Sequence, residues 1–206
     1  MQFFPTLDFA SDKLYKFIKS GLDDYHAKRN FDLGINNKTN VSCLSPYLRK
    51  RILHEKLILN SCLKDRELKH IEKFVQEVFW RTYWKGWLEG RKTVWKDYVA
   101  RLKNLKSEKQ FKLLKKDYNK AINGQTGINC FDAWVTELLQ TGYLHNHTRM
   151  WFASIWIFTL ELPWQLGAEF FMQHLYDGDA ASNTLGWRWV AGLQTQGKHY
   201  LASEWN

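Results

Sequence analysis

The sequence predicts an all-α protein, and three observations carry that expectation. Apolar residues recur at helical spacing along most of the chain, only three prolines occur in 206 residues, and no run of alternating β-branched residues marks a strand. The clearest helix is the stripe Ile71, Phe74, Val75, Val78, Phe79 and Thr82, which falls at i, i+3, i+4, i+7, i+8 and i+11 on one face. Segments 131–140, 146–161 and 165–176 follow the same period, with Gly142 and Pro163 as breaks. The most apolar run, "MWFASIWIFTLEL" (150–162), reads as a buried helix, well short of the roughly 20 residues a bilayer crossing needs.

Residues 32–40, "DLGINNKTN", form a loop by composition. They lead into Ser45-Pro46, which predicts a helix start with Ser45 as N-cap and Pro46 in the first turn. Such a start offers unpaired amides beside the hydroxyls of Ser42 and Ser45. A phosphate suits it, and a plain cap suits it equally.

At this length one compact domain spanning 1–206 is expected. The composition, 45 % hydrophobic and 25 % charged, is that of a folded chain and excludes disorder. Eleven tryptophans are unusual at this length and point to aromatic surfaces used for stacking, although bulky core filling accounts for most of them. The net charge of +9 favours a polyanionic partner or an anionic cofactor. Most of it lies in residues 91–120, where eleven Lys/Arg face three acids; a solvated helical face would look the same. Cys43, Cys62 and Cys130 are odd in number and widely spaced, so neither a disulfide framework nor a zinc site is expected. With no basic segment followed by an apolar run at the N-terminus, a reducing, cytoplasmic setting is expected.

The candidate chemistry narrows by elimination. His145 and His147 stand two apart, which on a helix turns the rings to different sides, so no metal pair is expected. No nucleophile elbow, Cys–His pattern, P-loop or dinucleotide fingerprint occurs. There remains "DGDAASNTLGWRW" (177–189), too polar for core and too aromatic for an ordinary loop. On a helix Asp179 and Asn183 share a face, whereas Trp187 and Trp189 point to opposite sides. Carboxylates and an amide beside an indole suit a heterocycle with donor and acceptor edges and a hydroxylated tail.

These residues carry a resemblance. "TGYLHNHTRM" (141–150), Trp164 and "FMQHLYDGDAASNTLGWRW" (171–189), preceded by "SCLSPYL" (42–48) and "EVFWR" (77–81), resemble in order and spacing the helical FAD-binding domain of the photolyase/cryptochrome family. The likeness runs from about Tyr25 to Trp189 and is weak across the basic segment 91–120; residues 1–24 read as an N-terminal lead-in. The resemblance implies that Tyr25, Ser42, Leu44 and Ser45 hold the FAD phosphates and ribityl chain, and that Arg81, Asn146 and Gly186 contact the cofactor. It implies an Arg149–Asp177 ion pair beneath the flavin, Asp179 at the isoalloxazine edge and Asn183 facing flavin N5. Trp187 and Trp164 match the first two members of an electron-transfer chain. Glu77, Trp80, His147, Met150 and Trp189 match positions that meet a DNA lesion, where indoles stack on a flipped dimer and Glu77 bonds its polar edge.

Departures from the family pattern are also legible. Val41 replaces a threonine near the cofactor, His147 replaces a DNA-contacting arginine, and the distal tryptophan position falls near Phe111, with Trp84, Trp151 or Trp156 as substitutes. The chain shows no counterpart of the family's α/β antenna domain and stops at Asn206, so no antenna chromophore is expected. The expected function is a minimal DNA photolyase, a lyase that splits cyclobutane pyrimidine dimers with an electron from reduced FAD. Its expected partner is DNA, with a preference for single strands, and no membrane. The alternative is a cryptochrome-like blue-light sensor that signals through flavin photoreduction.

Overall fold

The computed structural model describes residues 2–195 and 197–203, without the side chains of 108 and 110. Among the described residues every regular element is helical, and no helix is long and apolar enough to cross a membrane. The chain gathers into two compact units, Met1–Tyr83 and Trp84–Asn206.

The first unit opens with α1 (Leu7–Ser20), followed by α2 (Tyr25–Lys28), α3 (Ser45–Arg49), α4 (Glu55–Leu63) and most of α5 (Leu68–Glu89). The lead-in is therefore a structural helix. Thr6 caps it through its hydroxyl, which accepts from the Phe9 amide, and Asp8 in the first turn and Lys19 in the last suit the helix dipole. Ala10, Leu14 and Phe17 are its buried face, packed with Leu22, Leu44, Tyr47, Ile58, Ile71 and Phe74. The loop 32–40 is irregular as expected, yet it is tied down. Lys38 and Asp32 form an ion pair whose side chains are almost fully buried, and the Asn40 amide donates to the carbonyls of Lys28 and Phe31 at 2.7 Å each.

Two expectations for this unit need correction. Ser45 is not an N-cap: the chain enters α3 from Leu44, which is already helical (φ −91°, ψ −6°), so Ser45 is the first helical residue. Ser42 lies one step back, its hydroxyl 3.4 Å from the Leu44 amide, behind a left-handed Cys43 (φ 50°). The predicted stripe on α5 is buried only as far as Val78; Phe79, Trp80 and Tyr83 are all about half exposed.

The second unit holds the end of α5, then α6 (Lys92–Leu105), α7 (Glu108–Ile122), α8 (Asn129–Thr141), α9 (Asn146–Ser154), a π-helical turn (Ile155–Thr159), α10 (Trp164–His174) and α11 (Ala180–Val190). The basic segment is thus the helices α6 and α7. Asp132 fixes the entry to α8: against the upward pull of burial, the Thr126 hydroxyl at 2.7 Å and the Thr126 and Gly127 amides at 3.0 Å donate to it and hold its carboxyl below the usual carboxylate range. Gly142 ends α8 in the left-handed region (φ 64°). Its carbonyl accepts from the Tyr176 amide at 2.9 Å, and a Cβ on it would meet the Tyr176 ring at 2.6 Å.

The single helix expected over 146–161 is interrupted. Regular α-helix ends at Ser154, the π-turn follows, and Glu161 turns left-handed (φ 53°) before Pro163. The apolar run 150–162 is accordingly only partly buried, with Phe158 41 % exposed. The core of this unit is aromatic: Phe131, Phe152, Trp156, Phe170, Phe171 and Trp187 are buried together.

Candidate functional site

In the second unit the turn between α10 and α11 collects the polar groups. Asp177 accepts two bonds from Arg149 on α9, Nη1 to Oδ1 at 3.1 Å and Nη2 to Oδ2 at 2.8 Å. The same guanidinium donates Nε to the Leu144 carbonyl at 2.9 Å and lies over the Tyr143 ring. A fork held at three points is fixed in plane as well as in position. Asp179 caps α11, its Oδ1 accepting from the Ala181 and Ser182 amides at 3.1 Å, while Lys85 Nζ stands 3.7 Å from Oδ2. It is thus the residue before the helix, where the i, i+4 argument counted it inside. One turn on, Asn183 donates Nδ2 to the Ala168 carbonyl at 2.7 Å, which leaves its amide oxygen as an acceptor.

Trp187, a further turn along, is 3 % exposed and wedged edge-on against Phe171 (5.1 Å between centroids), Trp156 (6.1 Å) and Phe152 (6.3 Å). Trp164 stacks on Tyr98 at 5.4 Å. Trp189 points away from Trp187, as its spacing predicts, and lies half-buried on Tyr200 at 5.6 Å. Asn146 opens α9 with its amide 3.9 Å from the Met150 sulfur, and His147 sits beside His145 and Trp151. Buried His145 accepts from the His147 amide as the cap of α9, which gives the HNH motif a structural task.

In the first unit, Tyr25 packs edge-on against Phe17 and Phe74, and burial pushes its phenol above the usual range. Glu77 accepts from Arg29 at 2.8 Å; burial still pushes its carboxyl up, with the Arg29 charge opposing. Trp80 is 46 % exposed, braced edge-on by Tyr83 at 5.3 Å. Arg81 is largely buried, its Nε 3.7 Å from Glu55.

Sequence reasoning missed Arg29, Lys85, Tyr98 and Gly167. Gly167 had a signal, a glycine inside an apolar helix, which marks close approach. Arg29 had none, being 48 residues from its partner.

Residues 74–203 match the family model for the FAD binding domain of DNA photolyase. The chain belongs to that family. The helical fold expected for this photolyase/cryptochrome FAD domain is the one observed. Among its relatives, the deoxyribodipyrimidine photo-lyase of Vibrio cholerae is 29 % identical over 198 residues, 92 % of this chain and 40 % of that one. The photo-lyase of Agrobacterium fabrum is 32 % identical over 193 residues, 89 % and 37 % of the two chains. Of solved structures, a class III photolyase from Agrobacterium tumefaciens superposes with a TM-score of 0.78 at 28 % identity, covering 95 % of this chain and 40 % of that one. A cryptochrome from Synechocystis superposes with a TM-score of 0.76 at 23 % identity, a likeness of fold, over 99 % and 42 %. The chain therefore spans about two-fifths of the length of these relatives.

The second unit's residues fit the photolyase-family cofactor. The acceptor oxygen of Asn183, the buried Trp187 Nε1 with no acceptor among the described residues, and the charged Arg149–Asp177 pair give a donor and acceptor set for a ring with polar edges. Gly186 is exposed, and among the described residues nothing beyond its own helix backbone and chain neighbours stands within 4 Å of where its Cβ would be. Asp179 holds the helix that carries these groups. Asp179→Ala is expected to cost about 1 kcal/mol in a urea melt, and Asp179→Asn, which keeps the cap, a few tenths.

Proposed function

We propose that the chain is a light-driven flavoprotein that splits cyclobutane pyrimidine dimers in DNA. The observation that carries this is the exposed Trp80, braced by Tyr83 one turn after Glu77 on α5. An exposed indole held in a fixed pose is a platform on which an unpaired base stacks, and stacking is worth roughly 1–3 kcal/mol per base. When bound, reduced and excited by light, the flavin supplies the electron that opens the dimer.

The protein's residues supply position and charge. In this reading Tyr25, Ser42, Leu44 and Ser45 hold the phosphates and ribityl chain, and Arg81, Asn146, Arg149, Asp177, Asp179, Asn183 and Gly186 surround the ring system. The neutral Asn183 oxygen accepts from a protonated N5 without adding a competing charge. Trp80, Trp189, Met150 and His147 hold the extruded dimer and its strand, with the carboxyl of Glu77 on its polar edge. Trp187 and Trp164 return electrons to the cofactor. The net charge of +9 favours DNA in general. Single strands are favoured further, because extrusion there costs little stacking.

The test is illumination of the FAD-loaded protein with a thymine-dimer oligonucleotide, single- and double-stranded. Light-dependent loss of the dimer is expected, faster on the single strand. Trp80→Ala should weaken dimer binding by roughly 1–3 kcal/mol with the fold intact. Flavin photoreduction without any dimer loss would reject repair and leave the blue-light sensor.

A further inference from the structure

The resemblance puts the distal position of the electron route near Phe111, where no tryptophan stands, and a phenylalanine does not give up an electron to an oxidised indole. The ring packing of the second unit supplies another route. Trp187 meets Trp156 at 6.1 Å, nearly perpendicular. Trp156 is completely buried, its Nε1 donating to the Pro163 carbonyl, and it meets Tyr118 on α7 at 6.0 Å. Tyr118 is only half-buried, so the path reaches water there. On α10, Glu169 is held by Lys106 at 2.6 Å.

We infer that Tyr118, reached from Trp187 through Trp156, is the terminal one-electron donor of this chain, its phenolic proton passing to water. The inference rests on the flavin reading above. Trp187 gives one electron to the light-excited oxidised flavin, Trp156 refills Trp187, and Tyr118 refills Trp156. The Tyr118 O–H bond breaks in that last step, the proton passes to water, and a neutral tyrosyl radical remains. An external thiol then returns a hydrogen atom to the phenoxyl oxygen and becomes a thiyl radical. Transfer of the proton makes the last hop hard to reverse, since the electron cannot return to a phenol without it.

Two observations agree with this placement. Burial, and after it the charge of Glu169, pushes the Tyr118 phenol above its usual range, so the proton is present to be moved. Tyr98, stacked on Trp164, is pushed up to about 12 by burial and, after it, by the same carboxylate. Being 5 % exposed, Tyr98 is shielded from a thiol in solution where Tyr118 is not.

The experiment uses the full chain loaded with FAD, with retained flavin verified by its visible spectrum. Under blue light and excess thiol, Tyr118→Phe should slow flavin bleaching at least about tenfold and Tyr98→Phe no more than about twofold. Freeze-quenched samples should show a radical whose electron spin resonance line narrows when tyrosine is ring-deuterated and does not change when tryptophan is. The radical should form more slowly in deuterated water, because the phenolic proton leaves as it forms. Bleaching of Tyr118→Phe at the parent rate, or a line narrowed only by labelled tryptophan, overturns the relay while leaving the flavin reading intact. A protein that retains no flavin overturns both.

Discussion

Asp177→Asn is expected to cost about 3 kcal/mol of stability and to abolish flavin retention. The carboxylate is 4 % exposed and accepts both terminal nitrogens of Arg149, so an amide in its place satisfies one and confronts the other with its own N–H groups. Arg149 would keep its bond to the Leu144 carbonyl while losing two charged acceptors. Because the guanidinium is 24 % exposed, water offsets part of the loss, which puts the figure at the low end of the roughly 3–5 kcal/mol measured when buried pairs are broken. A urea melt followed by circular dichroism measures it. The double variant Arg149→Met/Asp177→Leu separates fold from cofactor: stability should return to within about 1 kcal/mol of the parent, since apolar replacements of buried pairs are often neutral. Flavin retention should not return. A single Asp177→Asn variant that melts with the parent would show that the pair contributes nothing to the fold.

Gly167→Ala should destabilise the protein by about 2 kcal/mol, against the helix propensity that favours alanine by about 1 kcal/mol. The added methyl would stand 2.3 Å from Trp187 Cη2, 2.6 Å from its Cζ3 and 3.0 Å from Trp156 Cε2. A flexible side chain would swing aside, but this indole is 3 % exposed and boxed by Phe171, Phe152 and Trp156. The clash therefore outweighs the gain in propensity. The melt should shift down, and flavin photoreduction should slow because Trp187 is displaced. Gly186→Ala is the contrasting control: its Cβ meets nothing within 4 Å and its backbone is helical, so it should gain up to about 1 kcal/mol. A Gly167→Ala variant as stable as the parent would show that the aromatic core yields more easily than its packing implies.

The helical class and the stretch 177–189 were legible because both are written in local spacing. Ile71, Phe74, Val75 and Val78 repeat at helical intervals whatever they pack against, and Asp179 precedes its helix as a capping acid should. The π-turn at Ile155–Thr159 was not legible, because an apolar run has the same composition whether its bonds close after four residues or five. Ser45-Pro46 misled for a similar reason: the pair permits a cap, and Leu44, already helical, takes the place. The site's long-range partners, Arg29 for Glu77 and Tyr98 for Trp164, are set by how helices dock, which no window of sequence contains.

Gly142 lies far from the acid-bearing turn along the chain, yet its carbonyl receives the Tyr176 amide and its bare α-carbon lies under the Tyr176 ring. Asp177 is the next residue. Where that acid stands thus depends on an atom that is missing elsewhere, a side chain that α8 does without at its final bend. A methyl group at that bend would drive the Tyr176 ring aside and carry the neighbouring acid off its mark, so the smallest of residues, at the end of α8, fixes a charge of the turn.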